Sequence, residues 1–102
     1  MNLATNRPVA FRFQLFVAGD AQNSVQAIAN LTALCRTYLP NQHEIRIVDV
    51  FQEPKRALAE GIFMTPTLLK VSPLPVRRIV GTLSHTQVVL QALGLEMEAV
   101  AA

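Results

Sequence analysis

Few side chains in this 102-residue chain have the type and spacing to do chemistry. The one cysteine, Cys35, cannot close an internal disulfide. It falls on an apolar stripe about three turns into a helical pattern, the setting of a buried structural thiol. A dithiol redox centre needs a C-x-x-C at a helix N-terminus, where the helix lowers one thiol's pKa. Here the first strand–helix junction reads Gly19-Asp20-Ala21-Gln22-Asn23-Ser24 and carries no cysteine. Dithiol exchange is excluded. Ser24 is left either as the polar contact of a glutathione-dependent enzyme or, more plainly, as a serine that opens the helix. His43 and His85 stand at element starts with no Cys, Asp or Glu at ligand spacing, so no metal set is assigned. Asp49 closes an apolar strand without a partner carboxylate, which suits a turn or cap better than a general acid. The four glycines are scattered at Gly19, Gly61, Gly81 and Gly94, and none belongs to a phosphate loop. The chain therefore offers no catalytic, cofactor-binding or metal-binding residue, and a binding role is expected.

The charges point the same way. Net charge is +2 with 16% charged residues, too mild a balance to argue for nucleic acid. Between Gly61 and Leu95 there is no acidic residue, yet Lys70, Arg77 and Arg78 are present. That half is cationic and favours an acidic partner surface. Arg77 and Arg78 are adjacent in a strand and point to opposite faces, so they cannot form one phosphate-binding comb.

Positioning these residues requires a small α/β scaffold. Phe11–Val17 alternates, with Phe11, Phe13, Leu15 and Val17 on one face and Arg12 and Gln14 on the other. Asn23 with Gln26 has the form of a capping box, and Val25, Ile28, Leu31, Cys35 and Leu39 mark a buried helical stripe that Pro40 ends. Glu44–Val50 reads as a second strand, parallel to the first through a right-handed crossover. Pro54 opens a short helix through Lys55–Glu60, stopped by Gly61. Leu68–Val71 and Val76–Val80 then form a hairpin around a loop stiffened by Pro73 and Pro75. Ser84 with Gln87 suggests a second capping box, opening a last segment to Leu93 that Gly94 ends. Within it, Thr86–Leu90 carries β-branched residues that suit a strand as well as a helix.

The order β-α-β-α-β-β-α, with Thr65-Pro66 entering the third strand, is that of a single thioredoxin-like domain over residues 11–95. Residues 1–10 and 96–102 read as tails. Pro66 stands where such folds place a cis proline; a rigid turn is its plain role, a lock on rearrangement the functional one. Half the chain is apolar (51%), which disfavours disorder, and no apolar run is long enough to span a bilayer. No signal peptide is visible, and a cytoplasmic setting is the default.

Phe16-Val17-Ala18-Gly19, Asn23-Ser24-Val25, Val48-Asp49-Val50, Thr65-Pro66-Thr67-Leu68, the run from Pro75 to Gly81 (PVRRIVG) and Leu83-Ser84 together resemble the KaiB family of circadian-clock proteins. The resemblance runs without a gap from about Phe11 to Leu95. It implies no enzymatic activity and no cofactor. It implies binding to KaiC, a hexameric ATPase, with a sensor histidine kinase as a further partner, and no nucleic acid or membrane. It also implies metamorphism, in which a self-associated resting form (tetramer or dimer) with a rearranged C-terminal half exchanges with a thioredoxin-like binding form. Carried over to this chain, the partner-binding positions are Glu44 and Arg46, with Lys70, Arg77 and Arg78 as matching basic positions. The expected fold-switch positions are Pro66, Pro73, Pro75, Val88, Val89, Ala92 and Gly94. The chain departs from the family at Asp20-Ala21-Gln22, Gln26, Gly61 and Ala92-Leu93-Gly94, as a divergent paralogue would.

Overall fold

The computed structural model describes residues 9–95; of the expected tails at 1–10 and 96–102, all but residues 9 and 10 lie outside the described residues. Seven elements follow in order: β1 (Phe11–Val17), α1 (Gln22–Tyr38), β2 (His43–Asp49), α2 (Pro54–Ala59), β3 (Thr67–Ser72), β4 (Arg77–Val80) and α3 (Thr86–Ala92). The sheet order is β2-β1-β3-β4. β1 and β2 run parallel, from Phe11 opposite His43 to Val17 opposite Asp49, as the strand–helix–strand spacing predicts. β3 is antiparallel to β1, and β4 is antiparallel to β3 as the predicted hairpin. A register shift between Arg12 and Phe13 breaks the β1–β3 ladder near the open end of the sheet.

Alternation along the strands splits the apolar residues into two cores. Phe13, Leu15, Val17 and Leu68 pack on one face with Leu31, Leu34 and Cys35 of α1 and with Val89 and Leu90 of α3. Phe16, Val48 and Leu69 pack on the other with Ala57 of α2 and Ile62. The doubled apolar pair Phe16-Val17 follows from this: β1 is a central strand, and its last residues meet a helix on each side. Because α2 is only six residues long, it covers the Phe16 end of its face and leaves the Arg12 end open.

Helix starts differ from the expected capping boxes. α1 begins one residue before Asn23, with Ala21 at the N-cap and no side-chain cap. Ser24 turns inward instead, 1% exposed, and its Oγ accepts a hydrogen bond from the Ala18 N–H (3.1 Å) across the β1–α1 turn. The buried stripe is accordingly Ser24, Ala27, Leu31, Leu34 and Cys35, while Val25 is 52% exposed. α3 likewise has His85 at its N-cap without a side-chain bond, and the Ser84 hydroxyl pairs with Thr82. The ambiguous Thr86–Leu90 segment is helical here, with Val89 and Leu90 buried and Val88 on the outer side.

Candidate partner-binding surface

The open part of the α2 face is built by neighbouring strands in register. Arg12 stands opposite Glu44 and Gln14 opposite Arg46, so four polar side chains project together where none of the described helices covers them. With Phe13 and Val71 they line a shallow hollow of about 180 Å³. Arg12 Nη1 pairs with Glu44 Oε1, and Arg46 reaches Glu53 Oε1 at 3.8 Å. The paired side chains are about half exposed (51% and 54%, 56% and 39%). Exposed pairs of this kind contribute roughly 0–1 kcal/mol, so a docking partner can exchange them for pairs of its own at little cost. Gln14 Oε1 is buried in the hollow and has no hydrogen-bond partner among the described residues. β2 is an edge strand, and Ile47 is 41% exposed on it. The surface thus combines an open strand edge, exchangeable ion pairs and an unfilled amide acceptor.

The sheet does not bring all five partner-binding positions into one surface. Glu44 and Arg46 share the open hollow with Arg12 and Gln14. Arg78 lies on the same face across the sheet and opposite Leu69. Its guanidinium donates to the carbonyls of Glu60 (2.7 Å) and Gly61 (3.2 Å), closing the C-terminal end of α2. Lys70 is not the freely exposed charge its type suggests. It is 4% exposed on the opposite face, between Phe13 and Arg77, and its ammonium donates to the Pro73 carbonyl (2.8 Å). Arg12 and Gln14 were not singled out from sequence. Their alternation in β1 was visible, but their pairing with Glu44 and Arg46 depends on the parallel register.

The fold-switch positions are spread over the C-terminal half. Pro66 is buried, Pro73 and Pro75 lie exposed in the β3–β4 loop, and all three follow cis peptide bonds. Val88 and Ala92 are exposed on α3, Val89 is buried, and Gly94 has φ +76° just past the helix end.

The chemistry-bearing residues of the opposite face are held in structural roles. Burial raises the Cys35 thiol pKa to about 12. Asp49 Oδ1 accepts hydrogen bonds from the N–H groups of Gly19 (3.2 Å) and Phe51 (2.9 Å), tying the turn after β1 to the turn after β2. His43 Nδ1 donates to the Leu39 carbonyl (2.7 Å). Among the described residues, no three His, Cys, Asp or Glu side chains gather as metal ligands, and no helix is long and apolar enough to cross a membrane.

Comparison with known proteins agrees with this geometry. The structure is similar to chloroplastic thioredoxin z (TM-score 0.71, 17% identity, 93% of this chain and 83% of that one). It is also similar to the N-terminal domain of Synechococcus elongatus SasA (TM-score 0.61, 22% identity, 88% and 89%). Both likenesses establish the thioredoxin-like fold. In sequence, the chain is 43% identical over 84 residues to the circadian clock protein KaiB3 of Synechocystis, covering 82% of this chain and 80% of that protein. It is 42% identical over 82 residues to the circadian clock oscillator protein KaiB of Synechococcus elongatus, covering 80% of each. The KaiB domain model matches residues 14–95, from the second half of β1 to the turn beyond α3, and the chain belongs to the KaiB family.

Proposed function

We propose that this protein is a non-catalytic regulatory module that docks onto a KaiC-type hexameric ATPase through the open β1–β2 face, in circadian or related signalling. The observation that carries this reading is the KaiB match over residues 14–95, which takes in the second half of β1 and all of β2, β3 and β4. The open hollow around Glu44 and Arg46 supports the choice of surface, since its ion pairs are exposed and its strand edge is unpaired among the described residues. A non-catalytic role is supported by the buried, protonated Cys35 and by the inward-turned Ser24, which leave a glutathione-type reaction neither an accessible thiol nor the Ser24 hydroxyl at the helix start. Two packings of one sequence that differ by a few kcal/mol can exchange slowly. On this reading the described form is the binding form, and a self-associated resting form rearranges the C-terminal half.

Size-exclusion chromatography of the protein alone, and after long incubation with its host's KaiC-type ATPase and ATP, tests the proposal. Co-elution that develops over hours supports a slow passage from a resting form into a minority binding form. Prompt co-elution means that the binding form already predominates. Absence of co-elution with a nucleotide-competent hexamer overturns the KaiC assignment, and isolated sensor histidine kinases then become the partners to test.

A further inference from the structure

Lys70 and Arg77 are direct cross-strand partners at the β3–β4 pair, and neither has an ion-pair partner among the described residues. Like charges in this relation destabilise a sheet, and β3 is a central strand, where a lysine finds little water. The Lys70 stem packs on the core face beside Phe13, and the residue is 4% exposed. Its ammonium has three N–H donors, and the structure gives it a single acceptor, the Pro73 carbonyl. That carbonyl belongs to the loop beyond β3, so the ammonium is drawn toward the sheet's rim, where Arg77 is exposed. No Asp or Glu occurs from Gly61 to Leu95. The ion pairs among the described residues, Arg12–Glu44 and Arg46–Glu53, involve neither cation. Burial, and after it the neighbouring Arg77, lowers the Lys70 pKa, so the pair carries an electrostatic cost that an anion would relieve.

We propose that Lys70 and Arg77 form an oxyanion-binding site at the rim of the β3–β4 hairpin. It takes a carboxylate or phosphoryl group between the Lys70 ammonium and the Arg77 guanidinium. An ammonium anchored on one side and a guanidinium with a planar fork are complementary to two oxygens of one such group. The site lies on the opposite face from the Glu44–Arg46 hollow. It stands on the strand pair alone and does not require the KaiC reading, so the two fail separately.

Titration with inorganic phosphate, and in a second arm acetate, at constant ionic strength tests the site by NMR. The readouts are the Lys70 ammonium resonance and the backbone amides of β3 and β4. Saturable shifts confined to β3–β4 at millimolar anion, reduced at least tenfold in apparent affinity in Arg77→Gln, are expected. Lys70→Met keeps the buried stem and removes the ammonium; it should abolish the shifts while circular dichroism stays that of the parent. Saturation by acetate and phosphate alike identifies a carboxylate, such as an acidic side chain of a partner, as sufficient. Saturation by phosphate alone identifies a phosphoryl group. Shifts that are non-saturable, or equal in the parent and Arg77→Gln, overturn the proposal.

Discussion

Asp49 accepts two backbone hydrogen bonds with one carboxylate oxygen, and through them it couples the turn after β1 to the turn after β2. Gly19 needs this help, because its φ of +56° and its nearness to the Phe51 ring leave the turn little freedom. A hydrogen bond to a charged group contributes roughly 1.5–3 kcal/mol, and exposure of the Phe51 bond to water keeps the pair toward the low end. Asp49→Ala should therefore cost about 2 kcal/mol in urea denaturation, whereas Asp49→Asn, which keeps an oxygen acceptor, should cost less than half of that. Cys35 gives a second test at this scale. Its pKa is raised from 9.0 to about 12 by burial, so the unfolded state releases the thiol proton first as pH rises. The stability this contributes is fully present below about pH 9 and is lost progressively toward pH 12. The difference in unfolding free energy between the parent and Cys35→Ala should be constant from pH 6 to 8 and shrink above pH 9. In the native protein at pH 8 the thiol should resist an aromatic disulfide reagent, and it should react at once in denaturant.

The elements show where local residue preference ends and tertiary structure takes over. The strands were legible because one face of each is buried, and the alternation of Phe13, Leu15 and Val17 against Arg12 and Gln14 records that directly. The parallel crossover and the hairpin followed from spacing alone. The start of α2 at Pro54 was legible, whereas the starts of α1 and α3 were not. Asn23 has the residue type of a cap, but the Ala18 N–H needs an acceptor and draws Ser24 inward, which sets the phase of α1 and exposes Val25. The burial of Lys70 was not legible for a related reason: residue type speaks for its ammonium, while its register beside Phe13 determines where the stem goes. The candidate surface was half legible, in Glu44 and Arg46, because its other half depends on strand pairing. The uncapped start of α1 makes a prediction. Ala21 has extended geometry (φ −54°, ψ 146°), is exposed, and no acidic residue lies in the first turn. Ala21→Asp adds both an acceptor for the free N–H groups and a favourable charge at the helix dipole. It should stabilise the protein by about 1 kcal/mol, read as a raised urea midpoint with unchanged slope.

Across the whole molecule, the two faces of the sheet are unequally built. The face under α1 and α3 holds fourteen buried residues in one cluster, and the face under α2 holds five. α3 contributes Val89 and Leu90 to the larger cluster and is only seven residues long, so its helical state depends on that docking more than on its own propensity. Ala92 is its last residue and is exposed, so a substitution there changes helix propensity without changing packing. Ala92→Gly disfavours helix by up to about 1 kcal/mol, a factor of roughly five in any equilibrium between a helical and a rearranged C-terminal half. When the competent form is a minority, apparent affinity falls in proportion to its population. On the proposed reading, Ala92→Gly should therefore weaken binding to the KaiC-type ATPase up to about fivefold, slow the onset of co-elution, and increase the self-associated fraction. Arg46→Glu should instead weaken binding while leaving the distribution between forms unchanged, because it alters the docking surface and not α3. If Ala92→Gly lowers only the thermal midpoint, with affinity and self-association unchanged, no rearranged form competes and the protein binds through the described packing alone.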